Sequence, residues 1–414
     1  MKQANNYLRC WSSCVIGLLL LVAGFNWFVN PFSIFNAPAI PHFNANKPDY
    51  ASHLRLTHVY RVENLRPNCV FLGTSRAGRG LSPNHPLLAN LNCYNMALPS
   101  ASMYQLRRGF QHAQAINPQK LVILTLDLRV FHPETDTSGA FSDMRLAVDE
   151  NGEKQFNLFS ARLPDMASSL ISVSALQASL TTIRKQSWVK DTLATNGFWL
   201  PLTDEFDHVK TFDFYTRTYV GQFKEMRQNS TGFQKSLDEF RLLLREAHTQ
   251  NVELKLIIHP AHAWQWQTLL LSDLWSRFET MKYQMVEINA QEASWANQQP
   301  YPIWDFSGSY GPSLEPVPTK QGELMHWFWE PAHYKQVLGD LILDRVLGEK
   351  PPTDAAFADF GARLDNGGLE IHLTKLRGLQ DIYAAGHPID MAKIQSIVNE
   401  TQNSANNANT VTGF

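Results

Sequence analysis

The chain has 414 residues, 44% of them hydrophobic and 18% charged, which is ample for a packed core and suits one large domain or two small ones. A formal net charge of -2 gives no basic excess to point to nucleic acid and no acidic block to point to a disordered tail. Four cysteines, none in a CxxC pair, give a structural zinc site no support, and neither a metal nor another cofactor is expected.

From Trp11 to Val29 there is no charged residue, and the centre reads VIGLLLLVAGF. As a helix rising about 1.5 Å per residue this stretch spans roughly 28 Å, close to the hydrocarbon thickness of a bilayer. Lys2 and Arg9 precede it and no charge follows until Lys47, which predicts a cytoplasmic tip and an exported body. A cleaved signal peptide is the competing reading. No A-x-A site follows the run, however, and Asn26, Trp27 and Phe28 are bulky and interfacial, so an anchor is expected. The expectation is a single-pass protein of a bacterial inner membrane with its domain facing the periplasm. Residues 1–30 form the tip and anchor. Residues 31–66 form a linker or strap, because NPFSIFNAPAIPHFNANKP argues against a helix.

Five short apolar runs read as buried strands: Asn68–Gly73, Asn92–Ala97, Lys120–Leu128, Glu253–His259 and Pro302–Phe306. Helical spacing marks Tyr104–Ile116, Gly232–Thr249, Trp264–Ala296 as one or two helices, and His333–Leu347. Strands alternating with helices imply an α/β domain over 67–349 with a parallel sheet covered on both faces. The stretch from about 132 to 230 breaks the alternation and holds a long helical candidate, Ser160–Lys185; it reads as an insertion or cap over the carboxyl edge of the sheet. Residues 350–414 read as a helical extension, with one helix over 369–386, and a polar disordered tail over 401–414.

In parallel α/β folds ligands sit at the carboxyl ends of the strands. The first strand ends in GTSRAGRG, which puts Ser75 on the turn into a helix, where its hydroxyl is exposed and the next amide faces a developing oxyanion. The same GTS also serves as a simple helix cap. Far downstream, Glu330 stands three residues before His333, just ahead of an amphipathic helix. A carboxylate there can orient an imidazole toward a serine on the same sheet edge, although a solvated Glu and a capping His would look alike. Arg76, beside Ser75, suits an anionic substrate better than Arg79. Trp329, like Trp327, can stack on a sugar ring or simply pack. His259 and His262 follow the fourth strand. A metal reading would pair them with His326, His333 or Asp305, but Pro260 breaks any helix that would present both imidazoles, so substrate contact, with His262 as the candidate, or a polar loop is the better expectation.

Together these pieces resemble the SGNH (GDSL-type) hydrolase superfamily. FLGTSR looks like the first conserved block with Ser75 as nucleophile, YNMALPSAS (Tyr94–Ser102) like the second, and EPAHY like the last, which carries acid-x-x-His. The likeness spans about 69–347 and is nearest to the exported, membrane-tethered branch that includes alginate O-acetylation proteins of the AlgJ and AlgX kind. It implies a flavodoxin-like three-layer sandwich and a Ser75–His333–Glu330 triad, with the backbone amides of Arg76 and Ser100 holding the oxyanion. It also implies an O-acetyltransferase or esterase acting on an envelope or exported polysaccharide, with a membrane-bound O-acyltransferase as a possible partner. Three departures stand out: Ser100 replaces the usual Gly of the second block, the G-x-N-D block is not evident around LTLDLRVF, and Glu330 replaces the usual Asp. They keep open an alternative, an SGNH-like envelope protein without strong catalysis that binds polysaccharide or a partner. Finally, Cys69 lies six residues before Ser75 and Cys93 seven before Ser100. If their strands are adjacent and parallel, an exported domain permits a disulfide between them; buried free thiols are the alternative.

Overall fold

The long uncharged run at the N-terminus folds as helix α1 (Lys2–Val29), whose segment Gln3–Val29 is long and apolar enough to cross a membrane. The computed structural model describes residues 2–132, 141–155, 158–201, 207–228, 231–348 and 357–411. These fall into two units. The first takes in Met1–Arg66, Gln111–Asn117 and Ser138–Thr203; the second takes in Pro67–Phe110, Pro118–Thr137 and Asp204–Phe414.

In the first unit the chain leaves α1 through a strap whose own side chains hold it. Asn44 accepts from the Ile40 amide and donates to the Phe28 and Pro38 carbonyls. Buried Lys47 donates to the Val29 carbonyl at 2.9 Å, a cation at a helix C-terminus. The expectation of a strap through residue 66 is corrected here: Tyr50–Leu65 is helix α2. Its buried positions include Leu54, Thr57, His58, Val59, Tyr60 and Val62 and follow no single stripe, which is why helical periodicity was not legible. The long helical candidate at 160–185 is two helices, α5 (Leu158–Ile171) and α6 (Val173–Arg184), bent by 55°. Ser172 makes the break: its backbone is extended and its hydroxyl accepts from the Ala175 amide, capping α6. Strands β4 (Asp191–Leu193) and β5 (Trp199–Pro201) pair as a small hairpin, and Phe32, Ile34, Val59, Tyr60, Leu146 and Ala175 form a core.

The second unit is an α/β layer structure. Its strands are β1 (Cys69–Leu72), β2 (Cys93–Asn95), β3 (Leu121–Leu126), β6 (Glu253–Ile258), β7 (Ile303–Asp305) and β8 (Ala362–Leu364), in the spatial order β2-β1-β3-β6-β7-β8. The first five are parallel; β8 pairs antiparallel with β7 and closes one edge. Every residue of β1 and β3 is buried, as in a parallel sheet covered on both faces. Cys69 and Cys93 are register partners across β1 and β2 and form a disulfide, with Cα atoms 4.3 Å apart.

The connections are helical: α3 (Ser75–Gly80), α4 (Met103–Ile116, counted with this unit through Phe110), α7 (His208–Gln228), α8 (Thr231–Thr249), α9 (Ala263–Leu271), α10 (Trp275–Ala296) and α11 (Gln336–Gly348). The run at 264–296 is thus two helices, separated by a turn at Asp273 with φ of 59°. Two expectations about organisation change. The insertion at 132–230 is not one cap, because 138–203 belong to the first unit and only the remainder, chiefly α7, to the second. The residues after 350 are not a separate extension. β8 joins the sheet, and α12 (Leu369–Gly386) and α13 (Pro388–Val411) pack on α9, with α13 also against α7. The polar tail expected from 401 continues α13 to Val411; residues 412–414, and the expected boundary at 349–350, lie outside the described residues.

Candidate active site

Counted among the parallel strands alone, the order is 2-1-3-4-5, which places the topological switch point between β1 and β3. Ser75 follows β1 at that point. Gly73 lets the chain turn there: a Cβ on it would stand 1.8 Å from Thr125 Oγ1 of β3. Thr74 is extended and Ser75 opens α3. The short helix is held from two sides. Asn95 of β2 donates to the Ala77 and Leu81 carbonyls at 3.0 and 2.9 Å. From α11, a Cβ on Gly339 would come 1.7 Å from the Gly80 carbonyl oxygen, so the two backbones touch.

His333 lies in a tight loop before α11, closed by a hydrogen bond from the Trp329 amide to the His333 carbonyl at 2.9 Å. Its Nε2 is 2.7 Å from Ser75 Oγ, and its Nδ1 is hydrogen-bonded to Glu330 Oε1. Glu330 is 2% exposed; it accepts from the Ala332 amide at 3.0 Å, the His333 amide at 2.8 Å and the Tyr219 hydroxyl at 3.1 Å. Burial opposes its charge, but His333, the Ala332 amide and Arg76 outweigh burial and hold the carboxyl below its ordinary range. Burial, and then the charge of Glu330, push the Tyr219 phenol well up, so it stays a donor. A carboxylate facing Nδ1 fixes the proton there and leaves the Nε2 lone pair to accept from the serine hydroxyl. This arrangement can deprotonate Ser75 as it attacks an acyl carbon and return the proton to a leaving group.

The sequence candidates divide. Ser75, His333, Arg76 and Ser100 line one cavity of about 180 Å³, and Glu330 stands behind His333. Arg76 occupies the first turn of α3, where amides have no intrahelical acceptor. Its guanidinium is 3.7 Å from Asp127. Ser100 has φ of 50°, the left-handed region that favours glycine and costs another residue roughly 1 kcal/mol or more.

His262 is corrected. It is 1% exposed and absent from the cavity wall; its Nδ1 accepts from the Trp264 amide as the cap of α9, and its Nε2 is 2.6 Å from the Glu315 carbonyl. Both ring nitrogens are engaged inside the protein, and its ring packs against Phe212 and Phe328. Trp329 is also off the cavity wall, with the Lys335 ammonium 4.4 Å from its ring. Among the described residues no group of three His, Cys, Asp or Glu is placed to hold a metal ion.

Other residues on the wall were given no part in catalysis from sequence. Asp127, after β3, accepts from the Arg129 amide at 2.9 Å, the Val130 amide at 3.2 Å and the Thr74 hydroxyl at 3.2 Å. His259, weighed with His262 for metal, substrate contact or a polar loop, is fully buried on the wall; its Nδ1 is 3.0 Å from the Tyr334 hydroxyl and its Nε2 has no partner among the described residues. Tyr215, Tyr219 and Phe223 of α7 stack in series with centroids 6.1 and 6.5 Å apart and close one side. Their four-residue spacing was the signal that could have found α7 as a helix facing the site. A scan against protein-family models finds no match, and a search of curated proteins finds no significant match.

Proposed function

We propose that the second unit is an SGNH-type acyl-transfer enzyme, an O-acetyltransferase or esterase for an envelope or exported polysaccharide, on a flavodoxin-like three-layer sandwich. One observation carries the reading: a serine hydroxyl, an imidazole and a buried carboxylate are hydrogen-bonded in series at the switch point of a parallel sheet. Ser75 Oγ attacks the ester carbonyl while its proton passes to His333 Nε2. Glu330 steadies the imidazolium, and the Arg76 and Ser100 amides hold the oxyanion. The imidazolium then protonates the departing alcohol, and a sugar hydroxyl or water takes the acyl group from Ser75 by the reverse steps. Export to the periplasm from an inner-membrane anchor is supported by Lys2 and Arg9 in the first turns of α1, ahead of its uncharged run, by the uncharged stretch after the helix, and by the Cys69–Cys93 disulfide, a bond of oxidising compartments.

A second reading has a specific observation in its favour. Asp127, an acceptor, stands where a side-chain donor to the oxyanion would serve, which suits a non-catalytic polysaccharide-binding or partner-binding protein. A fluorophosphonate probe separates the two. We expect it to label Ser75, with labelling lost in Ser75→Ala and His333→Ala, and ester hydrolysis falling by about 10⁴-fold or more in each. Glu330→Gln should be milder, because the acid orients and does not attack. A wild-type chain that neither reacts with the probe nor turns over an ester puts the binding reading first.

A further inference from the structure

Helices α5 and α6 are built inside out. A surface helix ordinarily turns its apolar stripe to the protein and its polar stripe to water. In α5 the buried side chains are Arg162 and Ser169. Arg162 donates to the Arg145 carbonyl and pairs with Glu63, while its neighbour Asp165 takes the Arg145 guanidinium and the Tyr60 hydroxyl. Facing outward on α5 are Phe159, Leu163 and Ile171, which are 74, 51 and 49% exposed and spaced to share one face. In α6 Ala175, Ser179 and Thr182 are buried, while Val173 and Leu180 face out together with the uncharged Ser174 and Gln177. No charged residue occurs from Met166 to Ile183.

This outward apolar face continues a membrane segment. Asn26, in the last turn of α1, donates to the Leu170 carbonyl of α5 at 2.8 Å and accepts from the Ser179 hydroxyl of α6 at 2.7 Å. The bend between the helices therefore stands beside the end of α1, whose Leu18, Leu20 and Leu21 are also exposed. Polar side chains turned inward and apolar ones outward is the pattern of a protein surface solvated by lipid. At 14 and 12 residues, the helices are about 21 and 18 Å long, each too short for a hydrocarbon core of roughly 30 Å.

We propose that α5 and α6 form a second membrane contact, lying in the bilayer interface beside α1 with Phe159, Leu163, Ile171, Val173 and Leu180 turned into lipid. The proposal rests on α1 crossing a bilayer, and the occupant of the face is lipid, not a second protein. It fixes the first unit to the membrane surface at two places, so that this unit cannot swing freely on a single tether.

The test uses the full chain in phospholipid vesicles. Cys10 and Cys14 are exposed and are replaced by Ser, leaving the disulfide intact. Spin labels are placed singly through Leu163→Cys, Ile171→Cys and Leu180→Cys, with Glu287→Cys as a label in water and Leu20→Cys, at the middle of the uncharged run, as the label in α1. Collision with oxygen is compared with collision with a water-soluble nickel chelate. We expect the oxygen-to-nickel ratio of the three test labels to lie several-fold above that of Glu287→Cys, at a depth shallower than Leu20→Cys. A ratio equal to that of Glu287→Cys puts the face in water and overturns the proposal. Shielding from both reagents means a protein covers it, and a depth matching Leu20→Cys means a buried span; each also overturns it. If Leu20→Cys itself reads as water-exposed, the anchor reading fails and takes the proposal with it. Hydroxyl-radical footprinting of the unaltered chain gives an independent reading. Phe159 should be protected in vesicles relative to Phe214, which is 63% exposed in the second unit, and equal oxidation of the two overturns the proposal.

Discussion

His259 is the residue whose surroundings ask most for a role. Asp127 can only accept, and its oxygens already serve the Arg129 and Val130 amides and the Thr74 hydroxyl. His259 shares the cavity wall with Ser75, and burial pushes its imidazole down to about 3, so it is neutral at working pH. If the Tyr334 hydroxyl donates to Nδ1, the ring proton sits on Nε2, a buried donor at the cavity wall with no partner among the described residues. On the acyl-transfer reading, we expect His259→Leu to lower kcat by about 10²-fold with little change in KM, the usual size for one lost oxyanion donor. His259→Gln, whose amide can replace the Nε2 proton, should retain more. Steady-state ester kinetics of the two variants check this, and an unchanged kcat in His259→Leu would leave His259 a packing residue.

At the scale of elements, the site depends on how closely α11 approaches α3. Gly339 meets the Gly80 carbonyl, and a Cβ on Gly80 would in turn stand 2.0 Å from the Tyr334 ring. The backbone pair leaves no room for a methyl group, so Gly339→Ala must push apart the helix that opens with Ser75 and the helix that follows His333. Overpacking of this kind typically costs about 1–3 kcal/mol. A displacement of the serine by about 1 Å can cost 10²-fold in rate. The expected outcome is a lowered melting temperature together with slower fluorophosphonate labelling. Labelling at the wild-type rate in a destabilised variant would show that α3 keeps its place by other contacts, the Asn95 hydrogen bonds first among them.

For the whole molecule, buried histidines set the acid side of stability. Burial pushes His259 down to about 3 and His262 to about 4, whereas an unfolded His titrates near 6.5. Between about pH 4 and 6.5 the unfolded chain therefore binds protons that the folded chain refuses, and stability falls as pH drops through that window. From pH 7 to pH 5 each histidine should cost about 2 kcal/mol. Glu330 and Asp127 have depressed folded values, so the stability they contribute is lost only below the ordinary carboxylate range, outside that window. Urea unfolding of the full chain in detergent at the two pH values measures the slope, which should be shallower by about 2 kcal/mol in His262→Gln. Equal slopes in the two proteins would show that a protonated His262 is tolerated.

The sequence by itself determined the α/β class, the five parallel strands and the membrane-length helix, because each is written in local periodicity or in an unbroken apolar run. It also singled out Ser75, Glu330 and His333, since a strand-ending serine and an acid three residues before a histidine are short-range signals. What joined them across 258 residues was tertiary: the sheet order sets β1 at the switch point, and the Gly80–Gly339 contact draws the His333 loop toward it. The same long-range packing decided that His262 caps α9 instead of facing the cavity, and that Tyr219 reaches Glu330 from 111 residues away in sequence. It also decided the division of the 132–230 stretch between two units and the antiparallel edge strand β8. The inverted faces of α5 and α6 show the reason most plainly. Their apolar periodicity is in the sequence, but which side meets protein depends on Glu63, Arg145 and Asn26, partners that only the folded chain brings near.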